Sequence, residues 1–190
     1  MAKVSIIGTG TWGIALGMVL AQNGHEVTAW SALPKEIEAL RESYKCKNLP
    51  GVEIPRSIVF TADLQEACTD KEMLVLSVPS VFTRGVAKQM NPFVKEGQLI
   101  VSVAKGIEEK TLMTMSQQIE EELPMANVAV LSGPSHAEEV SRGIPTTVVV
   151  GAKDRQTAEH IQNLFMSSVF RVYTSPDILG IELGGALKNV

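Results

Sequence analysis

Aromatic residues are scarce in this chain, with two Trp, two Tyr and five Phe among 190 residues. So few argue against base-stacking platforms and aromatic cages, which draw on several rings at once. Cysteine is scarcer still. Cys46 and Cys68 stand far apart with no CxxC spacing, which excludes a disulfide framework and a metal knuckle and leaves two inert thiols. Positive charge is in deficit: 17 Lys+Arg against 21 Asp+Glu give a net charge of −4, the wrong sign for a nucleic-acid surface. Any phosphate recognition must therefore be local. Long apolar runs are missing as well, since Ile14 to Ala21 falls far short of the ~20 residues that cross a bilayer. The start, MAKVSIIG, reaches a glycine turn without the apolar core and cleavage site of a signal peptide. These absences predict a cytoplasmic chain with no membrane span and no nucleic-acid partner.

What is present is ordinary globular composition, 45% hydrophobic and 20% charged. The length is about 1.3 times a ~150-residue domain, which predicts one large domain. Strand-like apolar runs occur at Val4 to Ile7, Glu26 to Trp30, Ser57 to Phe60, Met73 to Val78, Leu99 to Val103, Val128 to Leu131, Thr146 to Val150 and Val169 to Tyr173. Helical patterns lie between them, at Gly13 to Asn23, Pro34 to Ser43, Leu64 to Ala67, Val81 to Met90, Thr111 to Glu122, Ser135 to Ser141 and Thr157 to Phe165. This alternation predicts an α/β fold, a doubly wound and mostly parallel sheet with helices on both faces. Runs such as LVLSV lack a polar face and suit strands buried on both sides. The longest irregular piece, Tyr44 to Arg56, is expected near a ligand or a hinge.

Residues 8 to 13 read Gly8-Thr9-Gly10-Thr11-Trp12-Gly13, a GxGxxG between a strand and a helix, the context that makes this pattern specific for dinucleotides. Gly8 would form the tight turn, Gly10 would admit a pyrophosphate against the backbone, and Gly13 would let the helix pack on the sheet. Free amides at the helix start would face the anion. NAD-binding versions place an acid at the end of the second strand; here that position is Ser31. Ala32 and Leu33 follow it with no guanidinium for a 2′-phosphate, and Lys35 is the nearest cation, so NAD and NADP both stay open.

In such sheets, ligands sit outside the carboxyl ends of the strands. Val78-Pro79-Ser80 follows the fourth strand, with Pro79 fixing the turn and Ser80 able to cap the next helix. After the fifth strand, Lys105 stands in a loop where a cation can meet a cofactor or an anionic substrate, beside Gly106. After the sixth, LSGPSHAEEV places Ser135 and Glu138 at capping-box spacing, which predicts a helix start there and a second anion site around Gly133 to Ala137. His136 reads as a loop or surface histidine. Ser175-Pro176-Asp177 is taken as a further helix start at the same edge, with Ser175 as its cap. The helix that follows carries Gly180, Gly184 and Gly185 before Lys188. Each interior glycine costs roughly 1 kcal/mol relative to alanine, so three need a reason. Gly180, Gly184 and Lys188 share a face, which serves either tight packing or a flat lane along which a ligand reaches the lysine.

GTGTWG at 8 to 13, SVAKGIE at 102 to 108, LSGPSHAEEV at 131 to 140 and FRVYTSPDILGIELGGALKNV at 170 to 190 resemble the bacterial NAD(P)-dependent glycerol-3-phosphate dehydrogenases. The resemblance runs the whole length of the chain in the same order. It implies a Rossmann-type dinucleotide-binding domain over 1–190, ending in the first part of a helix that would lead into an all-helical substrate domain. The chain halts mid-helix at GGALKNV with no closing signal, which fits that expectation. It further implies hydride transfer between NAD or NADP and dihydroxyacetone phosphate, a phosphorylated triose, giving sn-glycerol 3-phosphate for glycerophospholipid synthesis, in a homodimer of the full-length protein. Lys188 would be the proton acceptor and donor. Lys105 would contact both cofactor and substrate. Thr11, Trp12 and Ala137 match cofactor-contact positions, and Gly133 and Ser135 match substrate-contact positions. Pro79 and Ser31 complete the expected cofactor set. A dehydrogenase of the 3-hydroxyacid type and a dinucleotide-sensing module without chemistry are the competing readings. The first would not explain LSGPSHAEEV followed by GGALKN, and the second leaves Lys188 without a task.

Overall fold

The computed structural model describes residues 1–189. Met73–Leu76 and Leu99–Ser102 are buried at every position, as strands covered on both faces must be. In chain order the elements are β1 (Lys3–Ile7), α1 (Thr11–Gln22), β2 (Glu26–Trp30), α2 (Pro34–Ser43), β3 (Val59–Thr61), α3 (Leu64–Cys68), β4 (Met73–Leu76), α4 (Thr83–Met90), β5 (Leu99–Ser102), α5 (Met115–Glu122), β6 (Asn127–Ser132), α6 (Ala137–Ser141), β7 (Thr146–Gly151), α7 (Arg155–Phe165), β8 (Phe170–Ser175) and α8 (Ile178–Ala186). They form one sheet in the order β3-β2-β1-β4-β5-β6-β7-β8. The order reverses at β1, so a crevice opens between the carboxyl ends of β1 and β4.

The two-residue side-chain period divides the core in two. Met73 and Val75 of β4 join one apolar cluster with Ile6, Ile14 and Ile161, whereas Leu74 and Leu76 join another with Ile7, Ala87 and Ile119. Each fully buried Val, Leu, Ile or Met side chain among them contributes about 1.5–3 kcal/mol. The sheet is therefore clamped between α1, α6 and α7 on one face and α3, α4 and α5 on the other.

Several local expectations shift. α5 starts at Met115 rather than Thr111, because Gln117 Oε1 accepts the Thr114 amide at 2.9 Å and closes the helix start there. The segment 44–56 lines neither cleft described below. It tucks Leu49 and Ile54 into the core, and the guanidinium of Arg56 lies 5.0 Å from the centre of the Tyr44 ring.

The consequential difference is direction. β7 pairs antiparallel with β6, and β8 pairs parallel with β7, so the last two strands run against the first six. Ser175-Pro176-Asp177 consequently lies at the opposite edge of the sheet from the glycine turn, contrary to expectation. Asp177, not Ser175, caps α8, accepting the Gly180 amide at 2.8 Å. From there α8 runs back across β6 and β7 and delivers its far end to the crevice.

Candidate active site

The glycine turn has the geometry its residue types require. Gly8 sits at φ +118°, where a side chain is strained, and an added Cβ would come within 2.9 Å of the Val78 amide nitrogen. Its amide donates to Trp30 O at 2.9 Å, tying the turn to β2. A Cβ on Gly13 would overlap Gly8 O and Ser77 Oγ, the latter already donating to Gly8 O at 2.7 Å. Gly10, by contrast, faces open space. It is the N-cap of α1, with no side-chain cap and no acidic residue in the first turn. Asp63, Asp154 and Asp177 cap α3, α7 and α8 with their side chains, whereas α1, like α2, α4 and α6, has no side-chain cap and keeps first-turn amides free for an anion. Thr9 Oγ1 and Trp12 Nε1 are buried beside them without a hydrogen-bond partner. A polar ligand in the turn would answer that deficit.

The loops after β4, β5 and β6 wall a cleft of about 510 Å³ over this turn, lined among others by Thr11, Trp12, Pro79, Lys105, Ser135 and Ala137. Pro79 turns the chain into a short 3-10 segment, Ser80–Phe82. Ser80 makes no capping bond there, and α4 begins behind Phe82 without a side-chain cap, so the expected Ser80 cap is not formed. Gly106 takes φ +148°, where a side chain is strained, and an added Cβ would stand 3.0 Å from Ser80 Cβ. Arg84 of α4 clamps the same loop through two 2.8 Å bonds to Glu108 and also binds Glu121 and Glu122.

The third loop receives both lysines. Lys105 Nζ donates to Gly133 O at 3.0 Å, and Lys188 Nζ, from the segment after α8, reaches Ser135 O at 3.4 Å. Burial is the main influence that lowers the pKa of Lys105, and the ammonium of Lys188 is the second. Beside them opens a second cleft of about 320 Å³, lined by Ser132, Gly133, Gly184, Gly185 and Lys188 among others. The two glycines of the shared face differ: a Cβ on Gly180 would overlap the Asp177 carboxylate that caps the helix. Gly184 faces open space along this cleft, whereas a Cβ on Gly185 would stand 2.8 Å from Ser132 Oγ and 3.5 Å from the Lys105 stem.

Some expectations fail here. The Ser135–Glu138 capping box does not form: His136 is the N-cap of α6, Ser135 Oγ turns to Gly133 O, and the Ser135 amide is used by the same carbonyl. α6 is five residues long and begins behind His136, so the Ser135 amide, bonded to Gly133 O, is not one of its first-turn donors. Ser31, at the end of β2, is not among the residues that line the cleft, and it donates its hydroxyl proton to Glu36 at 2.5 Å. Sequence reading missed Glu36, Arg84 and Glu182. The Ser-x4-Glu spacing of residues 31 and 36 was a visible signal; the other two pair across long stretches of chain and had none. His136 is exposed, as expected, although it lines the cleft.

Residues 3–158 match the family described as NAD-dependent glycerol-3-phosphate dehydrogenase N-terminus. The chain belongs to the glycerol-3-phosphate dehydrogenase family. It is 61% identical over 191 residues to glycerol-3-phosphate dehydrogenase (NAD(P)+) of Agathobacter rectalis, covering 100% of this chain and 57% of that protein. It is 53% identical over 193 residues to the Fusobacterium nucleatum enzyme of the same name, covering 100% and 58%. The chain thus spans little more than half the length of these glycerol-3-phosphate dehydrogenase relatives. Among solved structures, the glycerol-3-phosphate dehydrogenase of Coxiella burnetii superposes with a TM-score of 0.94 at 28% identity, covering 99% of this chain and 58% of that one. A ketopantoate reductase from Ralstonia eutropha, at 20% identity and a TM-score of 0.70, shares the fold alone.

Proposed function

We propose that this chain is the dinucleotide-binding and proton-transferring part of an enzyme that interconverts dihydroxyacetone phosphate and sn-glycerol 3-phosphate. The observation that carries this reading is the convergence of Lys105 and Lys188 on the carbonyls of Gly133 and Ser135, where the two clefts meet. NAD or NADP, when bound, supplies or takes up the hydride. Gly8, Gly10, Thr11, Trp12 and Gly13 hold its pyrophosphate through the uncapped start of α1, and the two orphaned polar atoms of that turn support the assignment. Pro79, Lys105 and Ala137 border the dinucleotide from the neighbouring loops, with Ser31 at the far strand end. Gly133, Ser135, Lys105 and Lys188 take the phosphorylated triose.

In the reducing direction the carbonyl oxygen at C2 gains negative charge as hydride reaches the carbon. The Lys188 ammonium donates its proton to that oxygen; in the oxidising direction the neutral amine takes the hydroxyl proton back. Lys105, held against Gly133 O, keeps a second cation beside the anionic substrate. In the complete protein an all-helical domain would cover Leu179, Leu183 and Leu187, which are 52%, 36% and 61% exposed. Family membership likewise supports a homodimer that works in the cytoplasm for glycerophospholipid synthesis; among the described residues no helix is long and apolar enough to cross a membrane.

The test is Lys188→Met in the protein that carries the helical domain. Dinucleotide affinity should be unchanged and turnover should fall by about 10²–10⁴. Turnover near that of the parent would overturn the assignment.

A further inference from the structure

We propose that Glu36 makes this chain select NAD over NADP, by accepting a hydrogen bond from the adenine-side ribose and repelling a 2′-phosphate. The inference rests on the reading above that the cleft holds a nicotinamide dinucleotide.

The end of β2 is joined to the glycine turn by the bond from the Gly8 amide to Trp30 O, so it borders the place assigned to the pyrophosphate. In sheets of this order the adenine-side ribose lies over that strand end, and the group found there decides between a hydroxyl and a phosphate. Ser31, 6% exposed, occupies the position. Its hydroxyl proton is committed to Glu36 Oε2 at 2.5 Å, and its oxygen receives the Leu33 amide at 3.2 Å. Ser31 therefore has no proton left for a ligand. What the strand end presents instead is the carboxylate of Glu36, carried on the first turn of α2 and half-buried. Its second oxygen, Oε1, has no partner among the described residues, and so remains a free acceptor.

The neighbouring strand end repeats the arrangement. Thr61 Oγ1 donates to Glu66 Oε2 at 2.5 Å and receives the Asp63 amide at 3.0 Å. The Ser31 amide bonds to Thr61 O at 3.2 Å, so the two hydroxyl–carboxylate pairs occupy adjacent strand ends and place two negative charges at this end of the sheet. Cations do not balance them there. Ala32 and Leu33 are exposed and uncharged, and Arg41 spends two N–H groups on Phe60 O at 3.0 and 2.6 Å. Lys35 is exposed on the same turn as Glu36 and makes no ion pair among the described residues. A single solvated ammonium does not reproduce the planar fork that grips a phosphate.

The repeat at β3 also suggests a purely structural role for the pair, which fixes where each helix starts. The two roles separate in Glu36→Gln, since glutamine still accepts from Ser31 and from a ribose hydroxyl but carries no charge. NADH and NADPH are titrated separately into the chain, with binding followed by tryptophan fluorescence and calorimetry and with no turnover required. The Glu36 carboxylate repels a 2′-phosphate beside it, so NADH should bind tighter than NADPH by about tenfold or more. In Glu36→Gln the ratio should shrink, mainly through tighter NADPH binding, with the melting temperature unchanged. Ser31→Ala frees the carboxylate without removing it and should retain a preference for NADH, which covers the case in which Glu36→Gln fails to fold. Equal affinities in the parent chain, a preference for NADPH, or an unchanged ratio in Glu36→Gln would overturn the proposal. Failure of both dinucleotides to bind would instead overturn the reading of the cleft, and this inference with it.

Discussion

The carboxylate of Glu182 accepts both the amide and the hydroxyl of Ser116, at 2.8 and 2.6 Å, although 66 residues separate them. Glu182 is the one buried charged side chain of α8, at 8% exposure, and its partner lies in the first turn of α5. The negative charge thus meets the positive end of a helix and two donors together. This bond pins α8 in rotation and height, and Lys188 follows six residues later.

Ser116→Ala should therefore weaken the hold on α8. Loss of a hydroxyl donor to a carboxylate costs about 1.5–3 kcal/mol. Urea denaturation should register that loss, and hydrogen exchange should show faster exchange in α8 than in α1. Unchanged exchange in α8 would contradict the anchoring role.

Gly184 and Gly185 are adjacent and should answer alanine oppositely. Gly185→Ala drives a Cβ against Ser132 Oγ and the Lys105 stem, and overpacking of this kind costs about 1–3 kcal/mol. Gly184→Ala meets open space and should raise helix stability by up to about 1 kcal/mol. Thermal melts of the two variants decide it, and a shift of the same sign in both would refute the division of labour.

Glu108 is tied to Arg84 and Thr111, and these bonds lower its pKa from 4.5 to about 2. A folded pKa below the unfolded one means stability that is present above about 4.5 and lost as pH falls toward 2. The melting-temperature gap between the parent chain and Glu108→Gln should accordingly hold constant at neutral pH and close on acidification through that window. A gap that does not change with pH would show that the clamp acts through shape rather than charge.

Lys105 should lose its proton at lower pH than an ordinary solvated lysine, since burial and then the Lys188 ammonium both disfavour its charge. Its acylation rate, followed by mass spectrometry against pH, should rise earlier than that of the exposed lysines. Lys188→Met should move the rise back upward only in part, because burial is the larger cause. A full return to the exposed-lysine profile would reverse that order.

Much of the site was legible from residue order because its parts are local. A glycine that must take positive φ, a helix start left uncapped and a proline after a strand are each set within a few residues, so residue order alone places GxGxxG, Pro79 and Lys105 on loops. Ser135 shows the limit of local rules. Its capping-box spacing with Glu138 was satisfied in sequence, yet the Gly133 carbonyl takes its amide and the helix opens two residues later.

By itself the sequence determined the alternation of strands and helices, the two-sided burial of the central strands, the glycine turn and the identity of the two lysines. The tertiary structure alone decided strand direction. An apolar run reads the same whichever way it is laid into a sheet, so nothing in residues 146–175 announces that β7 and β8 run against the first six strands. That reversal starts α8 at the far edge and ends it at the crevice, which is how Lys188 comes to stand across Ser135 from Lys105. The same holds for the charges that position the site. Ser116 with Glu182, and Arg84 with Glu108, are remote in sequence, and only chain packing brings each donor to its acceptor.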